Sequence, residues 1–348
     1  MTLLLINIII IFMVGILFPN NKMGRKLFIY IAFILLFFLH AFLDPNTMQD
    51  LPGYWDTYKI FGENSLRESI LVGYVGVKME PGWILLCKIL YFVSNNPRLL
   101  LIVTSILMVG SYLKTISRYS YLPWLSVIIY LCTTFDQSLF VLRQHSAIAL
   151  SLLSIPLIIN RDLKRYLLMM LICVFIHSSS AIFIPMYFLH GLKMKHYWLS
   201  FCVVAIVGSL LAGIVFPWLF SHTWYNSYEE RGGSNYTVFF ITMSSLILYL
   251  VSIKFKVEEL EDVDKYFLLL ITVSVLLCLC GVGFSPTNRL VKYFSVASIF
   301  VIPRSISHFK DPVTKMTIIF CVCFFHLLLF LAPSNTEYIQ GYRFVLFD

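Results

Sequence analysis

Charged side chains are scarce in this chain. Asp, Glu, Lys and Arg make up 13% of its 348 residues, whereas 59% are hydrophobic and the mean hydropathy is +0.84. So little charge excludes a soluble globular domain, because no such domain of this length hides that much apolar surface. Acids are the scarcer sign, 18 against 26 Lys and Arg, for a formal charge of +8. The basic surplus gathers in short connecting segments, which reads as a topology signal and argues against a nucleic-acid partner. No basic residue precedes the first apolar run, at 3–18, and no small-residue cleavage site follows it. That run reads as a retained helix and not as a removed signal peptide. Cys278 and Cys280, like Cys321 and Cys323, are two residues apart in apolar runs. On a helix such pairs point to nearly opposite faces, so packing is expected of them, not a disulfide or a metal site. No internal repeat and no linker interrupts the chain, and 1–348 is expected to form a single transmembrane domain.

What is present in abundance is apolar sequence. Stretches near 3–18, 27–43, 82–93, 99–113, 122–135, 139–159, 166–189, 198–220, 238–253, 266–284, 290–302 and 316–331 stand out. They predict an all-α, polytopic membrane protein with about 11–12 transmembrane or re-entrant helices, several shorter than the ~20 residues of a perpendicular span. The 31 Phe and 20 Tyr suit lipid-facing helices with aromatic interfacial belts. Two connections, 44–81 and 221–237, are polar. The first mixes Asp44, Asp50, Asp56, Glu63, Glu68 and Glu80 with Tyr54, Trp55, Tyr58 and Tyr74; the second carries Trp224, Tyr225, Tyr228, Glu229 and Glu230. Aromatic rings beside acids and amides suit carbohydrate, which stacks on the ring and hydrogen-bonds through its hydroxyls.

Basic clusters set the expected orientation. Lys22, Arg25 and Lys26, then Lys193 and Lys195, Lys254 and Lys256, and Arg304, Lys310 and Lys315 should be cytoplasmic, which places both polar connections outside. Lys114 and Arg118, with Arg161, Lys164 and Arg165, also look cytoplasmic, yet counting spans puts them outside. The conflict disappears if 82–93 does not cross fully and if 166–189 is broken near His177-Ser178-Ser179-Ser180. Irregular backbone at that depth is tolerated where it lines a cavity.

Several polar groups lie in or beside apolar sequence. Arg143 is embedded in 138–159, in Leu142-Arg143-Gln144-His145-Ser146-Ala147. A charge at that depth costs about 2.5–3.5 kcal/mol on insertion scales. Asp136 is about two turns earlier if the helix is unbroken, too far for a direct salt bridge. Arg143 is therefore expected to bind an anion brought in from outside, or else to satisfy backbone carbonyls at a helix break. Glu80 precedes Pro81-Gly82-Trp83, the pattern of a helix start. His177 sits among small residues and is a candidate base, since imidazole titrates near neutral pH; the alternative is a histidine bonded across a helix interface. Arg289, Lys292 and Tyr293 share one helical face, as a cationic stripe or as an interfacial anchor. Lys88 reads as a side chain that snorkels. Arg143, Arg289 and Lys292 together supply roughly the charge that holds a diphosphate, and His177, Glu80 or Asp50 is the candidate base. That set suffices for glycosyl transfer from a lipid diphosphate with no metal or other cofactor.

The ordered set of these segments carries a family resemblance. Asp50, Tyr54 and Tyr58 are followed by Glu80-Pro-Gly-Trp83, then by Arg143-Gln-His-Ser-Ala147 and Phe175-Ile-His177-Ser-Ser-Ser-Ala181. Next come Tyr225 and Tyr228, then Asn288-Arg289 with Tyr293-Phe294. The chain resembles the EpsG-like branch of the Wzy-type polysaccharide polymerases over most of its length. The resemblance implies a polymerase joining oligosaccharide repeat units on undecaprenyl diphosphate, at the outer side of a bacterial inner membrane. Its partners would be that lipid-linked oligosaccharide and the bilayer, with a chain-length regulator protein as a further candidate. Arg143, His177 and Arg289 match the family's recurring arginine and histidine positions. His145 departs from it, standing where a small residue is usual, and so competes with His177 for the role of base. Asp50, Tyr54, Tyr58, Tyr225, Tyr228 and Tyr293 are the candidate sugar contacts.

Three other classes share parts of this pattern. A lipid-oligosaccharide flippase or transporter would also want a cationic cavity, but two similar halves are not visible. An integral-membrane acyltransferase would want an Arg…Asp…Arg pattern near the first helix, which is missing although His40 ends a helix. A lipid-phosphate-sugar glycosyltransferase would recruit Asp50 and Asp56, whose spacing is wider than the usual close pair.

Overall fold

The computed structural model describes residues 2–18, 20–48, 50–76, 79–191, 193–207, 236–280, 287–332 and 342–345. Among them the structure is helical, apart from one isolated antiparallel bridge between Leu43 and Phe344. In chain order the helices begin with α1 (Thr2–Leu17), α2 (Lys22–Ala41), α3 (Leu51–Glu63), α4 (Leu66–Ile70), α5 (Pro81–Val93) and α6 (Arg98–Tyr119). Then come α7 (Pro123–Tyr130), α8 (Asp136–Ser138), α9 (Leu142–Leu153), α10 (Ile155–Ile159), α11 (Leu163–Ile176), α12 (Met186–Leu189) and α13 (Tyr197–Val207). The series ends with α14 (Tyr236–Ser252), α15 (Asp262–Cys280), α16 (Thr287–Ser295), α17 (Ser298–His308) and α18 (Pro312–Leu331). Five of the described segments are long and apolar enough to cross a membrane: Lys22–Ala41, Arg98–Tyr119, Leu142–Ile159, Arg289–His308 and Pro312–Leu331. The chain is an all-α, multi-pass membrane protein.

Contacts cluster in two compact units, Met1–Ile155 with Leu167–Ala181 and Met316–Asp348, and Pro156–Tyr166 with Ile182–Lys315. In the first, α2 packs on α6, α6 on α9, α1 on α7 and α3 on α5. Arg25, near the start of α2, donates to the carbonyls of Ser117 and Ser120 at the end of α6, at 3.3 and 2.7 Å. Arg98, which opens α6, donates to the carbonyl of Leu43, just past the end of α2. The two helices are therefore antiparallel, and the chain between them leaves and re-enters at the same end. Helix α5 has 13 residues, about 20 Å of rise against the ~30 Å of a hydrocarbon core. This removes the conflict for Lys114 and Arg118, since Lys26 and Arg118 lie at one end of the pair.

Two sequence expectations need correction here. The connection 44–81 is not an open loop: α3 buries a stripe of Leu51, Tyr54, Thr57, Tyr58 and Phe61, whose spacing follows the helical period. Ser65 and Glu68 then form a reciprocal capping box that starts α4. Nor is there an unbroken helix from Asp136 to Arg143. Helix α8 ends at Ser138 and α9 begins at Leu142, with Val141 at φ −91° and ψ 62° outside helical geometry. The expected break at His177 is present: α11 ends at Ile176, a 3-10 segment runs Ser178–Phe183, and Pro185 precedes α12. Lys88 does more than snorkel. Its Nζ donates to the carbonyls of Phe61 and Asn64, at 3.2 and 2.5 Å, and so caps the carbonyl end of α3.

In the second unit α14 packs on α15 and α17, and α15 on α16. Asp264 of α15 accepts from Arg304 Nε at 2.6 Å and from the Tyr249 hydroxyl at 2.8 Å. A charge taken into apolar surroundings needs such partners, because an uncompensated ion there is strongly destabilising.

Candidate functional site

The first unit gathers four segments around one carboxylate. Glu80 occupies the N-cap of α5, with Pro81 in the first turn, where its missing N–H leaves no helical bond unmade. Gly82 allows the next contact: a Cβ there would stand 2.5 Å from the carbonyl oxygen of Phe175 and 2.7 Å from its carbon. Only a glycine lets the start of α5 press against the end of α11, two residues before His177. Trp83 is fully buried, with its ring centroid 5.5 Å from that of Tyr54. Each residue of Glu80-Pro81-Gly82-Trp83 thus has a separate part in placing the carboxylate.

Both oxygens of Glu80 are engaged. Oε2 meets Arg143 Nη1 at 2.5 Å, and Oε1 lies 2.9 Å from His177 Nδ1. Oε1 also accepts from the Ser178 backbone N–H at 3.0 Å and from its hydroxyl at 3.2 Å. The break after Ile176 makes this possible, since the Ser178 N–H is turned toward Glu80 instead of into a continuing α-helix. Arg143 Nε is 3.4 Å from the Tyr54 hydroxyl. The side chains of Arg143, Glu80 and His177 are 20%, 10% and 9% exposed, so the cluster is enclosed but not sealed. Burial alone would raise the Glu80 carboxyl. The His177 contact, the Arg143 charge and the Ser178 N–H outweigh it and hold the group at about 2, well below the carboxylate range.

Arg143 therefore has a partner within the chain that sequence spacing did not supply: the Glu80 carboxylate pairs with it. Sequence spacing missed the pair because only packing of α5 beside α9 and α11 brings Glu80 to Arg143. The signal was present in part, since a buried arginine and a helix-start acid each needed a partner. Ser178 and Gly82 stand inside the sequence motifs, but sequence alone assigns neither a part of its own in the site.

The remaining candidates are more dispersed. Asp50 is exposed at the N-cap position of α3. Tyr58 is fully buried, and its hydroxyl donates to the Ser94 carbonyl at 2.7 Å. His145 is buried on α9, two residues past Arg143. Arg289 and Lys292 are half-buried on α16 in the second unit, where Tyr293 is fully buried. Tyr225 and Tyr228 lie outside the described residues.

What such a cluster can do follows from its chemistry. Nδ1 of His177 faces Glu80 at 2.9 Å, and an imidazole protonated there and neutral would carry its lone pair on Nε2, the arrangement of a base oriented by a carboxylate. A guanidinium beside it supplies fixed positive charge for an anionic leaving group.

The model of the EpsG family matches residues 26–344, nearly the whole chain. No curated protein and no solved structure matches it. The chain belongs to the EpsG family.

Proposed function

We propose that this EpsG-family membrane protein is a glycosyltransferase that polymerises oligosaccharide repeat units carried on undecaprenyl diphosphate into a surface polysaccharide. The observation that carries this reading is the buried Arg143–Glu80–His177 cluster in a chain of this family. In the proposed step a sugar hydroxyl of the acceptor attacks the anomeric carbon of the lipid-linked sugar. The bond from that carbon to the diphosphate oxygen breaks, and its electron pair leaves with the undecaprenyl diphosphate. The hydroxyl proton passes to Nε2 of His177, which Glu80 holds in orientation. Arg143 offsets the charge on the leaving diphosphate; Arg289 and Lys292 are assigned to it by their chemistry alone. Asp50, exposed at the start of α3, is the acid assigned to acceptor hydroxyls. The site is placed at the outer face of a bacterial inner membrane, on the charge bias of the basic segments.

The test uses purified full-length protein and the lipid-diphosphate repeat unit extracted from cells lacking this chain. A ladder of longer lipid-linked glycans is expected from the wild type and none from His177→Gln. Translocation of the unit without extension would replace the polymerase reading by that of a transporter.

A further inference from the structure

At the end of the α2–α6 pair where Lys26 and Arg118 meet, the two helices leave a groove of about 550 Å³. Helix α2 lines it with Lys26, Ile29, Tyr30 and Phe33, and α6 with Gly110, Leu113, Lys114, Ser117 and Arg118. These positions recur at three and four residues, so each set is one continuous helical face. Polarity is sorted along the groove. Lys26, Lys114, Ser117 and Arg118 are exposed at its mouth, while Ile29, Phe33 and Gly110 are only partly exposed further in. Among the described residues none of the three cations forms an ion pair. Lys26 lies 5.8 Å from the Tyr30 ring centroid, folded over the apolar wall.

The inner end is open because residue 110 has no side chain. A Cβ on Gly110 would meet nothing closer than one ring carbon of Phe33, at 3.8 Å. From Gly110 to Arg118 the helix rises about 12 Å, the length of a headgroup with its first methylenes. Three cations with no ion pair among the described residues, at the mouth of an apolar slot between two membrane-spanning helices, complement one kind of occupant in charge and in polarity.

We propose that this groove is a binding site for an anionic phospholipid, with its phosphate on Lys26, Lys114 and Arg118 and an acyl chain over Ile29, Phe33 and Gly110. The site is distinct from the Glu80 cluster and does not depend on the polymerase reading. Arg98, at the other end of α6, lies over the Trp55 ring of α3 at 5.2 Å, and α3 carries the Tyr54 that meets Arg143. Along α6 the rise from Arg98 is about 18 Å to Gly110, at the inner end of the groove, and about 30 Å to Arg118 at its mouth. A phosphate at the groove holds the ends of α2 and α6 together against the repulsion of their own cations.

Native mass spectrometry of the full-length protein tests this, with phosphatidylglycerol and phosphatidylcholine of identical acyl chains as probes and sn-glycerol 3-phosphate as a soluble competitor. Phosphatidylglycerol is expected to be retained in preference to phosphatidylcholine, and glycerol phosphate to leave it in place. Each cation near an anionic headgroup is worth about fivefold, so Lys26→Ala, Lys114→Ala and Arg118→Ala together should weaken retention on the order of a hundredfold. Gly110→Leu, which keeps every charge and fills the slot, should also abolish the preference, whereas Lys26→Arg with Lys114→Arg should bind like wild type. Equal retention of the two lipids, or wild-type binding by Gly110→Leu or by the triple variant, would overturn the proposal. Displacement by glycerol phosphate would overturn it in favour of a soluble-anion site.

Discussion

Glu80 stands between His177 and Arg143, with Nδ1 of the first 2.9 Å from one carboxylate oxygen and Nη1 of the second 2.5 Å from the other. In the proposed transfer step this geometry suits the candidate bases to different parts. A carboxyl held at about 2 is an anion throughout the working range and accepts protons weakly. His177 is left as the group suited to take one.

Chain extension should therefore depend on His177 more than on Glu80, and on Glu80 more than on His145. Polymer ladders from His177→Gln, Glu80→Gln and His145→Gln, matched for protein amount, give the comparison. His177→Gln is expected to lose on the order of 10²–10⁴ in rate, the range for a missing general base. A normal ladder from His177→Gln would move the assignment to His145 or to the carboxylate.

Gly82→Ala changes none of these groups and should still disable the site. Its methyl would overlap the Phe175 backbone, so α5 must move away from α11 and carry Glu80 off His177. Destabilisation on the order of 1–3 kcal/mol is expected from the overpacking, with polymer lost. Thermal unfolding in detergent and the ladder assay read the two effects; wild-type behaviour in both would remove the close approach from the account.

Arg143→Ala leaves Glu80 without its cation and should cost about 3–5 kcal/mol, as when one partner of a buried pair is removed. Arg143→Lys keeps the charge but lacks the guanidinium fork, so its level in the membrane should recover while polymer does not. If the lysine variant restored full-length polymer, a point charge would be all the site needs.

The contribution of Glu80 to stability has a defined pH window. Its carboxyl is held below its ordinary value of 4.5, at about 2, so the folded state binds fewer protons there than the unfolded state. The stabilisation is complete above pH 4.5 and is lost as pH falls toward 2. The difference in melting temperature between wild type and Glu80→Gln should be constant from pH 7 to about 5 and shrink below that. A gap that stays unchanged down to pH 3 would mean that ionisation of Glu80 adds nothing to the fold.

Sidedness can be read with single cysteines in a background lacking the native ones. Glu63 is exposed at the end of α3, and Ser117 is exposed near the opposite end of α6. Glu63→Cys should react with an impermeant maleimide in intact cells, and Ser117→Cys only after lysis. The reverse pattern would invert the orientation inferred from the basic segments.

The sequence by itself determined the membrane class, because a chain so poor in charge has no soluble fold open to it. It also marked the helix start at Glu80-Pro81 and the break after Ile176, since proline, acids at helix starts and clustered serines act on the local backbone. The stripe from Leu51 to Phe61 was equally legible by its period, but the surrounding acids and tyrosines made the segment read as a loop. The partner of Arg143 was not legible. Asp136, near in sequence, is cut off by the non-helical turn at Val141, whereas Glu80, distant in sequence, is delivered by the press of Gly82 against Phe175. Nor could span counting show that α5 leaves the chain on the side where it began, which rests on Arg25 and Arg98 tying α2 and α6 together at opposite ends. Local propensities are written residue by residue, while ion pairs between helices depend on how whole helices pack.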